Sequence, residues 1–194
     1  MKKSNSDSGL TTQWSNRLRA AGLTVLTVLM LCITACNTPQ PIYNRGLPKE
    51  YNLCYQEIYG HCYDSIPYAV VALDLYSDGL TLNEQHRMTG SGYNLYLSDI
   101  IVPDSLLAEG SYISNTSAQP FTFLPGHDYE GTPHGIYILR VEDSKIASIQ
   151  VVDSGSFTFS GDTLDFTLYF RNSYGSQAKY QPRFIGTLIP WIKK

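Results

Sequence analysis

Basic side chains are scarce in this 194-residue chain, which carries 14 Lys and Arg residues against 17 Asp and Glu. After residue 35 they form no cluster apart from Lys193-Lys194. Because phosphate backbones are bound by a positive stripe or patch, this distribution argues against nucleic acid as a partner.

Motifs of the common enzyme classes are also missing. The sequence has no Gly-x-Ser-x-Gly elbow and no His-Glu-x-x-His pair. Gly90-Ser91-Gly92 precedes a strand pattern, whereas a phosphate cradle opens a helix. One grouping remains, His127-Asp128-Tyr129-Glu130 with His134, which offers metal ligands or the acid and base of a hydrolase. A polar loop explains the same residues, so we expect no catalytic residue, metal or cofactor.

Long apolar runs are limited to one, from Ala20 to Ile33. Its roughly 14 residues suit the core of a secretory signal and fall short of the ~20 that a membrane-spanning helix needs. Lys2, Lys3, Arg17 and Arg19 precede it, as in the positive region of such a signal. The run therefore predicts export from the cytoplasm.

The residues that end this run, Ile33-Thr34-Ala35-Cys36, resemble a bacterial lipobox. The resemblance implies cleavage before Cys36, a diacylglycerol thioether on its sulfur and an acyl group on the new N-terminus. Two or more such chains hold a protein durably, because each buried CH2 contributes ~0.8 kcal/mol. The alternatives are a plain secretory signal with an incidental cysteine and an uncleaved membrane anchor.

The chain is predicted to have three parts. Residues 1–35 are the lipoprotein signal peptide, residues 36–50 a flexible linker with three prolines, and residues 51–194 a single all-β domain. Without the signal, ten Lys and Arg stand against sixteen Asp and Glu, a formal net charge near −6. The exported part is therefore acidic.

The domain's sequence alternates short apolar runs with turn residues about every eight to twelve positions. This spacing predicts an antiparallel β-sandwich of about ten short strands, with an up-and-down, lipocalin-like barrel as the alternative. The clearest strand is Thr163 to Arg171, in which Leu164, Phe166, Leu168 and Phe170 share one face.

Three further local patterns lead to specific expectations. Asp78-Gly79 predicts a hairpin that returns through Leu80 to Leu82. One helical turn is expected near residues 105–109. Asp74 interrupts an apolar strand at the parity opposite Leu73 and Leu75, which predicts that it faces solvent.

Two cysteines, Cys54 and Cys62, remain when Cys32 leaves with the signal and Cys36 is acylated. In an oxidising compartment they are a candidate disulfide, and two inert thiols are the alternative. A metal site with His61 is disfavoured because adjacent ligands at 61 and 62 fit no zinc spacing.

Several sequence segments in the domain resemble those of small uncharacterised lipoproteins of Bacteroidota, namely Leu73–Gly79, Gly90–Asp99, Glu109–Tyr112 and Asp153–Phe157. That resemblance implies attachment to the outer membrane through Cys36. It transfers no functional residues, because the family has no assigned activity. The residues after Cys36 lack the acidic run that resembles a surface-export signal, which favours the periplasmic face over the cell surface.

A second pattern agrees with this source. Asp64-Ser65-Ile66, Asp104-Ser105-Leu106 and Asp162-Thr163-Leu164 resemble the O-glycosylation site of secreted Bacteroidota proteins. Ser65 and Ser105 are the better candidates, because Thr163 begins a strand. Ordinary turn residues would give the same pattern.

Three functions remain open at this point. The first is non-catalytic binding of another envelope component or a glycan, for which the 15 tyrosines offer stacking surfaces. The second is a barrel-type carrier whose Leu164 to Phe170 face lines a cavity for a small apolar ligand. The third is a hydrolase that uses His127, Asp128, and Glu130 or His134.

Overall fold

The computed structural model describes residues 46–64, 66–171, 175 and 177–192. The predicted signal peptide at 1–35, the lipidation site Cys36, most of the linker at 36–50 and the glycosylation candidate Ser65 lie outside the described residues. Residues 43–194 form one structural unit, which contains all the described residues.

The described part of this unit is built from strands and contains no helix, which confirms the predicted all-β fold. The structure has 17 strands in the described residues, more than the ten expected, because several are only two to four residues long and give no clear sequence pattern. The strands are β1 (Glu50–Tyr51), β2 (Leu53–Gly60), β3 (Ala69–Tyr76), β4 (Leu80–Leu82), β5 (Met88–Gly90), β6 (Gly92–Val102), β7 (Gly110–Ser114), β8 (Thr122–Phe123), β9 (His127–Tyr129), β10 (Thr132–His134), β11 (Ile136–Glu142), β12 (Lys145–Val151), β13 (Ser154–Ser160), β14 (Thr163–Arg171), β15 (Gln177–Tyr180), β16 (Arg183–Ile185) and β17 (Ile189–Ile192).

One sheet contains thirteen of these strands, and most of their pairings are antiparallel. Its path runs β1-β16-β14-β13-β7-β8-β6-β3-β2-β17, and the β11-β12 hairpin joins at β6. Only Asn52 separates β1 from β2, yet β1 pairs with β16 while β2 pairs with β3. The sheet is therefore curled, since these consecutive strands lie near opposite ends of its path.

The inner face of the curled sheet holds the main apolar core. As predicted, Leu164, Phe166, Leu168 and Phe170 all point into it and are at most 3% exposed. Phe157 lies at its centre, stacked on Tyr112 at a ring separation of 4.5 Å and next to Phe123 and Phe166. The β14 face that an apolar carrier would use as a cavity lining is thus packed against other side chains.

Two local expectations are wrong. The chain does turn at Asp78-Gly79, with Gly79 at a φ of 79°. However, β4 leaves the main sheet and pairs with β5, and β3 pairs with β6 instead. Residues 105–109 form bends without a helical turn. At Asp78-Gly79, tertiary pairing overrides the local hairpin signal.

The candidate disulfide is not formed, and Cys54 and Cys62 are both free thiols. Cys54 is buried in the core near the start of β2, whereas Cys62 is exposed beyond the end of that strand. A strand rises about 3.3 Å per residue, so eight residues separate the cysteines by far more than the roughly 6 Å between bridged Cα atoms.

Candidate functional site

The outer face of β3 is covered rather than solvated. Every residue of β3 is buried, on both faces of the strand. Asp74 does lie on the face opposite Leu73 and Leu75, as its parity predicts, but it is only 7% exposed. The expectation that Asp74 faces solvent is therefore wrong, and a buried carboxylate needs polar partners on this side of the sheet.

The neighbouring strands place tyrosine side chains at the same level as Asp74. Asp74 pairs with Tyr55 of β2 on one side and with Tyr96 of β6 on the other. Tyr96 in turn pairs with Tyr137 of β11. Because directly opposed residues of antiparallel strands point to the same face, the outer surface carries a row of three tyrosines and one aspartate.

Asp74 is held by two donors on this face. The hydroxyl of Tyr76 donates a hydrogen bond to Oδ2, and the Asn94 side-chain amide donates to Oδ1 at 2.5 Å. The same amide also donates to the carbonyl of Leu75 at 3.0 Å. Burial, followed by the nearby charge of Asp74, raises the pKa of Tyr76 well above its usual value.

Glu57 on β2 is a second buried carboxylate and is 3% exposed. Its Oε2 accepts hydrogen bonds from the hydroxyls of Tyr59 at 2.7 Å and Tyr96 at 3.1 Å. Burial is the main cause that raises the pKa of Tyr59 to about 12. Both carboxylates are therefore fixed in place by tyrosine hydroxyls.

Aromatic rings from two peripheral elements stand over these groups. His86, in the loop between β4 and β5, stacks on Trp191 of β17 at a ring separation of 4.2 Å and an interplanar angle of 14°. Trp191 also meets Tyr55 in a T-shaped contact, with ring centres 6.4 Å apart. Tyr96 and Tyr137 form a second stacked pair, with ring centres 5.1 Å apart.

Together these residues enclose an open cleft of about 660 Å³. Glu57, Asp74, Asn94, Tyr96 and Trp191 are among its lining residues, and we call the cleft the carboxylate groove. Exposed Arg87 and Lys145 also contribute to its wall. The groove combines flat aromatic surfaces with buried hydrogen-bond acceptors and donors, which suits a polar ligand that also has apolar faces.

The predicted histidine group lies elsewhere, on the exposed β9-β10 hairpin. His127 and His134 are directly opposed, and their rings stack with centres 5.3 Å apart. Asp128 occupies the next position, so it faces the other side, and its Oδ1 accepts a hydrogen bond from the Gly131 amide at 2.8 Å. Glu130 lies in the turn of the hairpin at a φ of 51°. The structure thus brings the two histidines together without Asp128.

Ser105, the glycosylation candidate within the described chain, is exposed in the connection between β6 and β7. Its amide donates to the Asp104 carboxylate at 2.9 Å, as in an ordinary turn. Among the residues that the structure describes, no group of three or more His, Cys, Asp or Glu side chains is placed to hold a metal ion.

The comparisons with known proteins give no relative. No family model matches the chain, and neither a curated protein nor a solved structure matches it. In the described segments, no helix is both long and apolar enough to cross a membrane.

Raising the pH should weaken the fold between about pH 10 and pH 12. In the described part of the chain, eight tyrosines have raised pKa values, most of them mainly through burial: Tyr51, Tyr59, Tyr63, Tyr76, Tyr96, Tyr112, Tyr137 and Tyr180. An unfolded tyrosine loses its proton near pH 10. The stabilisation is therefore complete below about pH 10 and is lost as pH rises through the folded pKa values.

Urea unfolding at successive pH values, followed by circular dichroism, measures this loss. The free energy of unfolding should be level below about pH 9 and should fall steadily above pH 10. A free energy that stays constant up to pH 12 would contradict the burial of these hydroxyls. Phenolate absorbance recorded in parallel should rise together with unfolding.

Proposed function

We propose that this protein is a lipid-anchored envelope lipoprotein whose β domain binds a neutral glycan in the carboxylate groove without cleaving it. The observation that carries this proposal is the groove itself, in which buried Asp74 and Glu57 stand beside the stacked rings of Trp191 and His86.

A sugar ring matches both kinds of surface in the groove. Its axial C–H groups form an apolar patch that packs on an aromatic face, while its hydroxyls donate hydrogen bonds at the ring edge. Hydrogen bonds from hydroxyls to carboxylates are the stronger, charge-assisted kind. Because Asp74 and Glu57 are already fixed by tyrosine hydroxyls, they would accept these bonds without further ordering.

The charge of the groove favours a neutral glycan over an acidic one. Two carboxylates lie at its floor, whereas Arg87 and Lys145 are exposed and therefore strongly screened by solvent. A uronic acid or phosphorylated sugar would place a like charge close to Asp74 or Glu57 in a partly buried setting.

The two alternative functions have less support. An apolar carrier needs a cavity behind Leu164, Leu168 and Phe170, and these side chains are packed in the core. A hydrolase built on the exposed hairpin needs Asp128 beside the histidines, and Asp128 faces away from them. Binding of another envelope protein remains compatible with the same groove.

The anchoring part of the proposal depends on the sequence alone. The lipobox-like Ile33-Thr34-Ala35-Cys36 supports acylation at Cys36, and the residues after it favour the periplasmic face of the outer membrane. A domain held at that face would meet the cell-wall glycan, which is built from neutral and acidic amino sugars.

Retention on immobilised glycans tests the binding function. The purified full-length protein in detergent is passed over neutral envelope polysaccharides and over an acidic polysaccharide of similar chain length. We expect retention on at least one neutral glycan, weaker retention on the acidic one, and no shortened chains after prolonged incubation. Retention should be lost in Asp74→Asn and kept in Asp162→Asn, a change in the exposed turn after β13.

Two results would overturn the proposal. A protein that passes every glycan column unretained does not bind this class of ligand. If the native protein shortens the glycan chains and the Glu57→Gln variant does not, the groove is catalytic. Near-ultraviolet circular dichroism of each variant shows whether a variant that no longer binds is still folded.

A further inference from the structure

The carboxylate groove continues into a second cleft of about 280 Å³. Both clefts are lined by Tyr96 and Tyr137, so these two rings form their common boundary. The second cleft is further lined by Tyr59, Tyr63, Asp99 and His134. The combined surface therefore runs along the outer face of β6, from Asn94 towards Asp99.

The second cleft repeats the chemistry of the first. The Tyr63 hydroxyl donates to Oδ1 of Asp99 at 2.6 Å, and the Ser98 hydroxyl donates to Oδ2 at 2.8 Å. Going along the surface, three carboxylates are each held by a tyrosine hydroxyl: Asp74 by Tyr76, Glu57 by Tyr59 and Tyr96, and Asp99 by Tyr63. A ligand that crosses both clefts would meet the same kind of acceptor at intervals.

A bulge in β6 places Asp99 on this surface. Val71 pairs with Ile100 and Leu73 pairs with Leu97, so both Ser98 and Asp99 stand opposite Ala72. Asp99 adopts a φ of 52°, which is uncommon for a residue with a side chain. Bulges of this kind turn a side chain towards a new direction, and strained residues of this kind occur often at binding sites.

We propose that Asp99 and Tyr63 form a second sugar subsite, so that the protein binds an oligosaccharide chain rather than a single sugar. This rests on the glycan-binding function proposed above. The stretch from Asn94 to Ser98 spans about 13 Å at the usual rise of a strand, which gives room for about two or three pyranose rings. A chain of linked rings occupies both clefts and loses its translational freedom only once.

Calorimetric titration of the full-length protein in detergent tests this arrangement. The probes are N-acetylglucosamine and its β1,4-linked dimer, trimer and tetramer, which are uncharged and share the amino-sugar chemistry of the cell wall. We expect the affinity to rise about tenfold or more from the single sugar to the trimer and then to level off. Asp99→Asn, which keeps a residue able to adopt positive φ, should remove most of that gain.

A control variant and three contrary outcomes decide whether the second subsite exists. Asp162→Asn, at a residue that lines neither cleft, should keep the full gain with chain length. Equal affinity for all four probes would overturn the second subsite while leaving the glycan-binding function intact. If none of the four probes binds, a second subsite for amino-sugar chains is contradicted, while the glycan-binding function is decided separately by retention on the polysaccharide columns. If the affinity of Asp99→Asn still rises with the number of sugar units, the additional sugar contacts lie outside the proposed second subsite.

Discussion

Replacing Cys36 by Ser is expected to move the protein from the membrane fraction to the soluble fraction of the envelope. Serine has no thiol to receive the diacylglycerol, so the variant cannot carry the thioether-linked chains. Each buried CH2 contributes ~0.8 kcal/mol to membrane attachment, so loss of two or three acyl chains removes an effectively permanent anchor. This is the largest effect that we expect from a single substitution.

Fractionation of cells that produce the native protein and the variant measures this effect. Cys32→Ser lies four positions earlier, inside the predicted signal, and should leave the protein in the membrane pellet. Cys62→Ser changes an exposed free thiol of the domain and should do the same. A Cys36→Ser protein that stays in the pellet unchanged would contradict anchoring through that sulfur.

Replacing Trp191 by Ala is expected to weaken glycan binding about thirtyfold or more. The indole lies in an edge strand, half-buried and stacked on His86, so its removal takes away an aromatic wall of the carboxylate groove. Truncation of a central aromatic contact residue commonly costs 2 kcal/mol or more, which corresponds to about that change in affinity. The strand should persist, because β17 pairs with β2 through its backbone.

The neighbouring residue supplies a matched control for this measurement. Ile192 is 69% exposed and, one position along the same strand, faces the opposite side from Trp191. Ile192→Ala should bind the glycan as the native protein does, measured by calorimetry against the same probe. Equal losses in both variants would point to a damaged strand, and no loss in Trp191→Ala would remove the indole from the site.

The sequence predicts the core of this protein well because alternation is a direct physical signal. In β14, four apolar residues at every second position can be buried together only if the segment is a strand, and all four are buried. The turn at Asp78-Gly79 is likewise predicted from neighbouring residues, and the chain does turn there. Both patterns depend on residues close together in the chain.

The groove is not predictable by the same means, because its residues come from distant strands. Parity places Asp74 on the outer face, but the cover over that face is made by the β4-β5 loop and by β17, far apart in the chain. Glu57, Asn94 and Trp191 carry no local motif, and the sequence reasoning missed them. The available signal was a charged residue inside each of two strands, Glu57 in β2 and Asp74 in β3.

The fluorescence of Trp191 tests the central claim most directly. The chain has two tryptophans, and Trp14 lies within the predicted signal peptide, so Trp191 in the carboxylate groove is the single tryptophan of the predicted mature protein. Titration with the neutral glycan retained on the columns should give a saturable shift of its emission to shorter wavelength. Emission that stays unchanged while calorimetry records binding would show that the glycan binds outside the groove and would contradict the claim.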